Sequence, residues 1–255
     1  MAVVKVSDYV EAYRLRALSP DIHRLTARNS VAQTEFALSQ IIERMNLSPA
    51  DILMDIGCGD GSLLRMAEGR VSKRIGVVPT TEEQERVEKV IPSASVLVGL
   101  AQKLTVDSNI ATKIVCNGVL IYLRSDDEVK AALSEMHRVA RKGATIWVGE
   151  MPEVDEYAEY GKYTGDSMIG FLWHLLRRQG FRAFLGMCRR WASAIFGKEQ
   201  IVLNSAGLYY TDSAKMIRMA ESCGLRLRTY FRHRDLSEQG TIEESKFRYD
   251  YIFEK

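Results

Sequence analysis

From Asp51 onward, short apolar runs alternate with segments of helical spacing, and this rhythm constrains the fold more than any other feature of the chain. ILMDIG (52–57), RIGVV (74–78), SVLVG (95–99), KIVCN (113–117) and TIWVGE (145–150) read as strands. SLLRMAEG, TEEQERVEKV and SDDEVKAALSEMHRVARKG, between them, read as helices. Such alternation places parallel strands in one sheet with helices on both faces. The third helix is predicted to begin at Ser125, an N-cap with Glu128 three residues on, and to stop at Gly143. Later come a helical pattern, TDSAKMIRMAESCG, and a strand pattern, LRLRTYF. In the last segment Phe247, Tyr249, Tyr251 and Phe253 alternate with other residues, a period of two that predicts a strand antiparallel to its neighbour. The expected fold class is α/β: a doubly wound, mostly parallel seven-stranded sheet with an antiparallel C-terminal strand and a helical insert after strand five.

The expected organisation is an N-terminal helical segment, 1–50, covering a cofactor site; a core of 51–150 and 206–255; and a helical insert or lid, 151–205. Within the first segment, Phe36, Ile41 and Met45 fall near one face at helical spacing, and Ser48-Pro49 breaks the pattern. No repeat or low-complexity tract is present.

The most specific motif is DILMDIGCGDGSLL, a strand running into Gly57-Cys58-Gly59-Asp60-Gly61 and then a helix. Glycines there permit a tight turn and close approach of backbone to a ligand. A dinucleotide fingerprint needs a sixth-position glycine counted from Gly57, and Ser62 stands there, which disfavours a nicotinamide-dependent oxidoreductase. The pattern is D-x-G-x-G-x-G beginning at Asp55, and it resembles motif I of class I S-adenosylmethionine-dependent methyltransferases. The resemblance covers about residues 35–150, with weaker echoes at 208–254.

That resemblance implies S-adenosylmethionine as cofactor. It implies that Gly57, Cys58, Gly59 and Gly61 lie under its amino-acid part and that Asp55 orients its ammonium end. Ala101 and Gln102 match the segment near the adenine, and Asn117 to Tyr122 match the floor near the transferred methyl group. Two positions depart from the family pattern. Val78 stands where an acid usually holds the ribose hydroxyls, leaving Thr80, Thr81, Glu82 or Glu83 to reach back past Pro79. Leu100 and Gln102 stand where an acid is common near the adenine, and Gln102 can still accept a hydrogen bond.

Residues 168–198 read MIGFLWHLLRRQGFRAFLGMCRRWASAIFGK, with no acid between Asp166 and Glu199. Phe181, Phe184, Leu185, Cys188, Trp191, Ala192 and Ile195 fall on one side at helical spacing; Arg182, Gly186, Arg189, Arg190 and Ser193 fall on the other. Phe171, Leu172, Leu175 and Leu176 suggest a preceding apolar helix, ended by Gly180. Three readings stay open: a structural lid or dimer contact, a lid lining a hydrophobic acceptor pocket, and a helix resting on anionic lipid. Its arginines exclude a spanning helix.

The formal net charge of +2 gives no reason to expect nucleic-acid binding. Four dispersed cysteines without a C-x-x-C pair argue against zinc or redox chemistry and suit a reducing compartment. The chain shows neither a signal peptide nor a transmembrane run, so the expected location is cytoplasmic, with peripheral membrane contact through 168–198 left open.

Among the histidines, His174 in the insert is the best candidate base, His137 reads as structural, and His23 as surface or lid. Tyr122 and Glu150, at strand-end positions, complete the candidate catalytic set. No metal-ligand cluster is apparent. The expected activity is methyl transfer from S-adenosylmethionine to a small-molecule acceptor, at oxygen and with a carbohydrate or lipid-linked acceptor preferred. The alternative is a binding or scaffold protein that retains the methyltransferase fold without turnover.

Overall fold

The computed structural model describes residues 3–6, 8–19, 21–26, 30–156, 173, 176–177, 180–181, 184–186, 189, 201–204, 208–237 and 239–255. The elements before the core are β1 (Val3–Val6), α1 (Tyr9–Ala17), a 3-10 turn (Ile22–Thr26) and α2 (Val31–Met45). The first βα repeats are β2 (Ile52–Ile56), α3 (Ser62–Met66), β3 (Lys73–Val78), α4 (Thr81–Val90) and β4 (Ser95–Val98). Then follow β5 (Ala111–Asn117), a 3-10 turn (Leu120–Tyr122), α5 (Asp126–Val139), β6 (Ala140–Pro152) and β7 (Ile201–Asn204). The chain ends with α6 (Ser213–Ser222), β8 (Arg226–Leu236) and β9 (Ile242–Glu254).

The main sheet has seven strands in the order β4-β3-β2-β5-β6-β9-β8. Pairing is parallel from β4 through β6; β9 runs antiparallel to both β6 and β8. The order reverses between β2 and β5, which opens a crevice at the carboxyl ends of those strands. The expected fold class therefore holds, including the antiparallel C-terminal strand with its aromatic face. Tyr251 and Phe253 are buried and stack at 6.0 Å.

The sheet is covered on both sides because its strands are apolar on both faces. Met54, Ile56, Ile114 and Ile146 join Val129, Leu133 and Met136 of α5 and Met216 of α6 in the largest core cluster. Leu53, Val115 and Trp147 pack with Leu38, Ile41 and Met45 of α2 in a second. Helix starts follow local chemistry: the hydroxyls of Ser30, Thr80 and Ser125 accept hydrogen bonds from backbone N–H groups three residues on.

Two expectations are corrected. The helix beginning at Ser125 ends at Val139, not Gly143, because Ala140 already enters β6 opposite Ala111. Gly143, in the left-handed region, donates its N–H to Lys255 within an irregular stretch of strand. The N-terminal segment is not wholly helical either: β1 pairs in parallel with β7 in a separate two-stranded sheet.

The described positions between 173 and 189 are helical. Trp173 and Phe181 are exposed there. Arg182, Cys188, Arg190, Trp191, Ala192, Ser193 and Ile195, on which the amphipathic reading depends, lie outside the described residues, as do Phe171, Leu172 and Leu175. Among the described residues, no helix is long and apolar enough to cross a membrane.

Candidate active site

A cavity of about 620 Å³ occupies the crevice at the switch in strand order. Its floor is the loop between β2 and α3. Gly57, Gly59 and Gly61 all have positive φ, at 76°, 55° and 77°, a backbone path that side chains with a Cβ resist. The N–H groups of Gly57 and Cys58 both donate to the Val77 carbonyl, tying the loop to the end of β3. A Cβ on Gly59 would lie 3.3 Å from the Leu25 carbonyl oxygen, so this glycine admits the N-terminal segment onto the loop. Asp60 fixes the turn by accepting from Ser62 N–H at 2.9 Å and facing His23 Nδ1 at 3.3 Å.

Asp55, at the end of β2, lines the cavity and is buried. Burial, reinforced by the charge of Asp60, raises its carboxyl to about 7. Cys58 also lines the cavity, but burial among carboxylates pushes its thiol well above the ordinary range, so it is no nucleophile. Ala101 and Gln102 form another wall. The Gln102 Oε1 atom is buried without a hydrogen-bond partner. Tyr9 and Tyr13, one turn apart on α1, enclose the cavity with Tyr122. The Tyr122 ring stacks on Tyr9 at 6.3 Å and meets Tyr13 edge-on at 5.7 Å.

The opposite end is built by β6 and the β8–β9 hairpin. Glu150 has a φ of 61°, an uncommon conformation for a residue with a side chain. Its N–H donates to Asp250 Oδ1 at 2.8 Å, and its carboxylate accepts from Asn117 Nδ2 and from Arg248 Nη1, each at 2.7 Å. Asn117 in turn accepts from Trp147 Nε1 at 3.1 Å. Arg248 also pairs with Asp235. Behind them the buried His233 donates from Nδ1 to Asp250 at 2.9 Å and faces Asp235 at 3.4 Å. Burial alone would lower the His233 pKa. The charge of Glu150 and the contacts with Asp235 and Asp250 outweigh it and raise the imidazole to about 9.

Of the expected site residues, Asp55, Gly57, Cys58, Gly59, Ala101, Gln102, Asn117, Tyr122 and Glu150 line this one cavity. Gly61 caps α3 just below it, where a Cβ would come within 2.5 Å of Ile91 Cδ1. Val78 is a correction. Its side chain is wholly buried with Leu64, Val87 and Ile91, and the cavity is lined instead by its neighbours Val77 and Pro79. The reason is strand parity: Val77 and Val78 point to opposite faces. His174 lies outside the described residues. The other described insert residues do not line the cavity. Arg248 and Asp235 escaped the sequence reading; the Tyr9/Tyr13 pair carried a usable signal in its helical spacing.

The chain carries the fold of the class I methyltransferases. Residues 54–148, from β2 to β6, match the model of a methyltransferase domain family. No curated protein matches the sequence. Among solved structures, the chain resembles a SAM-dependent methyltransferase from Methanosarcina mazei at 16% identity and TM-score 0.58, over 84% of this chain and 96% of that one. It resembles the N-methyltransferase NodS from Bradyrhizobium japonicum, in complex with S-adenosyl-L-homocysteine, at 12% identity and TM-score 0.59, over 97% and 98%. It also resembles geranyl diphosphate C-methyltransferase from Streptomyces coelicolor at 13% identity and TM-score 0.55, over 86% and 77%. At such identities the likeness concerns the fold. The last two neighbours methylate different elements, so the acceptor atom does not follow from the architecture.

Proposed function

We propose that this chain is an S-adenosylmethionine-dependent methyltransferase acting on a small molecule at an oxygen atom. The observation that carries the reading is the pairing, in one cavity, of the left-handed glycine loop beside Asp55 with the buried, unpartnered oxygen of Gln102. The residues fit the cofactor at both ends. Asp55 offers a carboxylate to the ammonium group, and pairing there offsets the burial that raises its pKa. Gln102 Oε1 offers the acceptor that an exocyclic amino group satisfies. The neighbour solved with S-adenosyl-L-homocysteine supports the same cofactor class.

When bound, S-adenosylmethionine supplies a methyl group on a sulfonium centre. The protein's part is to align the acceptor and keep water out. Tyr9, Tyr13 and Tyr122 form an aromatic wall that shields one side of the cavity. The Glu150 carboxylate is held by Asn117 Nδ2 and Arg248 Nη1, which fixes its direction at the cavity wall. Its role is therefore to orient the acceptor hydroxyl, with rate gained from proximity. A carbohydrate or lipid-linked hydroxyl suits the mixed aromatic and charged lining.

The test is transfer of labelled methyl from S-adenosylmethionine across a panel of hydroxyl- and amine-bearing small molecules. Label on a hydroxyl acceptor with release of S-adenosylhomocysteine supports the reading. Label confined to amines overturns the oxygen assignment. Tight cofactor binding without turnover on any acceptor favours a binding protein instead.

A further inference from the structure

We propose that Glu83 of α4 takes the ribose hydroxyls of the cofactor, in place of an acid at the end of β3. The inference rests on the methyltransferase reading above and assigns a residue that reading leaves open. On that reading, which sets the amino-acid part on the glycine loop and the adenine near Ala101 and Gln102, the ribose lies between those two walls. In the sheet, β3 lies between β2 and β4. The loop after β2 carries the glycines and Asp55, and the segment after β4 carries Ala101 and Gln102. A nucleoside spanning those two walls passes the carboxyl end of β3 and the start of α4.

The end of β3 itself offers no polar group, since the Val78 side chain is wholly buried in the apolar cluster on the other face. The four polar residues that follow separate cleanly. Thr81 is exposed. Glu82 turns toward Arg14 of α1, 3.5 Å away. Thr80 is occupied as the N-cap, accepting from Glu83 N–H. Glu83 is 1% exposed and lines the cavity. It faces inward because Val87, one helical turn on, is fixed in the core beside Val78.

Glu83 Oε2 accepts from the Thr80 hydroxyl at 2.8 Å. The carboxylate as a whole borders the cavity. A carboxylate buried this deeply needs more than one donor, and burial accordingly raises its pKa to about 7 despite the Thr80 bond and the nearby charge of Arg16. A vicinal diol supplies further donors. Thr80 holds one carboxylate oxygen and so orients the other.

Calorimetric titration of S-adenosylhomocysteine and its 3′-deoxy analogue into the protein and its variants tests this. The unaltered protein should bind the analogue about ten- to hundredfold more weakly than S-adenosylhomocysteine, the loss expected for a hydrogen bond to a charged group. Glu83→Gln should bind S-adenosylhomocysteine more weakly by a similar factor and no longer distinguish the two ligands. Glu82→Gln should behave as the parent, and Val78→Asp should not tighten binding. Equal affinity of the unaltered protein for both ligands overturns the inference whether or not Glu83→Gln folds. So does a Glu83→Gln variant that still discriminates between them, and either result leaves the methyltransferase reading standing. Failure of the unaltered protein to bind S-adenosylhomocysteine at all removes that reading and this inference together.

Discussion

Arg248 Nη1 lies 2.7 Å from Glu150 Oε2, joining the middle of the last strand to a residue held in the left-handed region at the end of β6. The same guanidinium pairs with Asp235, so one cation neutralises two carboxylates in the cavity wall.

Removing that cation should therefore be costly. Arg248→Met takes the shared cation away from Glu150 and Asp235, and a loss of about 3 kcal/mol in stability is expected. Urea unfolding measures it. Adding Glu150→Gln to Arg248→Met should recover part of the loss, because one of the stranded charges is then gone. A double variant whose loss equals the sum of the single losses would show that the two side chains are not coupled.

Gln102 should separate binding from stability. Its buried Oε1 is unsatisfied, and a group of that kind costs about 1–3 kcal/mol. Gln102→Met is thus expected to leave the unliganded protein as stable as the parent or more so, while weakening S-adenosylhomocysteine binding about tenfold or more. Thermal melts with and without ligand read both effects. A destabilised variant with unchanged ligand response would make Gln102 a purely structural residue.

The sequence carried the core of this site because its signals are local. The apolar strands, the helices between them and the Gly57–Gly61 turn each announce themselves within a dozen residues. What stayed hidden joins distant positions. The β1–β7 pair brings together residues nearly two hundred apart through two four-residue strands, too short to show a period. Glu150, Arg248, Asp235 and His233 meet only because the β8–β9 hairpin folds back beside β6. Val78 stayed hidden for a subtler reason: the pattern locates the end of a strand, but one residue of parity decides whether a side chain enters the cavity or the core.

Asp55 sets an expected pH dependence. Its folded pKa, about 7, lies above the ordinary carboxylate value of about 4, so the native state holds the extra proton between those limits. Stability from this group is therefore greatest at low pH and falls as pH rises through that window. Glu83, also raised to about 7, acts in the same direction. His233 contributes stability below its unfolded value near 6.5 and loses it as pH rises toward about 9, again in the same direction. The ligand-free thermal midpoint should drop between pH 5 and pH 8 on this account. Asp55→Asn should flatten the drop and abolish the ligand response. A parent protein whose midpoint rises steadily over that range would contradict the assigned burial.

The central claim is that the glycine loop and its cavity hold S-adenosylmethionine or its demethylated product. Calorimetric titration of S-adenosylhomocysteine into the unaltered protein tests it most directly, with Gly59→Arg as the comparison. The account predicts saturable binding at one site per chain, lost in Gly59→Arg because a side chain at that position fills the narrow gap between the loop and Leu25. Folded, unaltered protein that gives no heat at millimolar ligand, or a Gly59→Arg variant that binds as tightly as the parent, would contradict it.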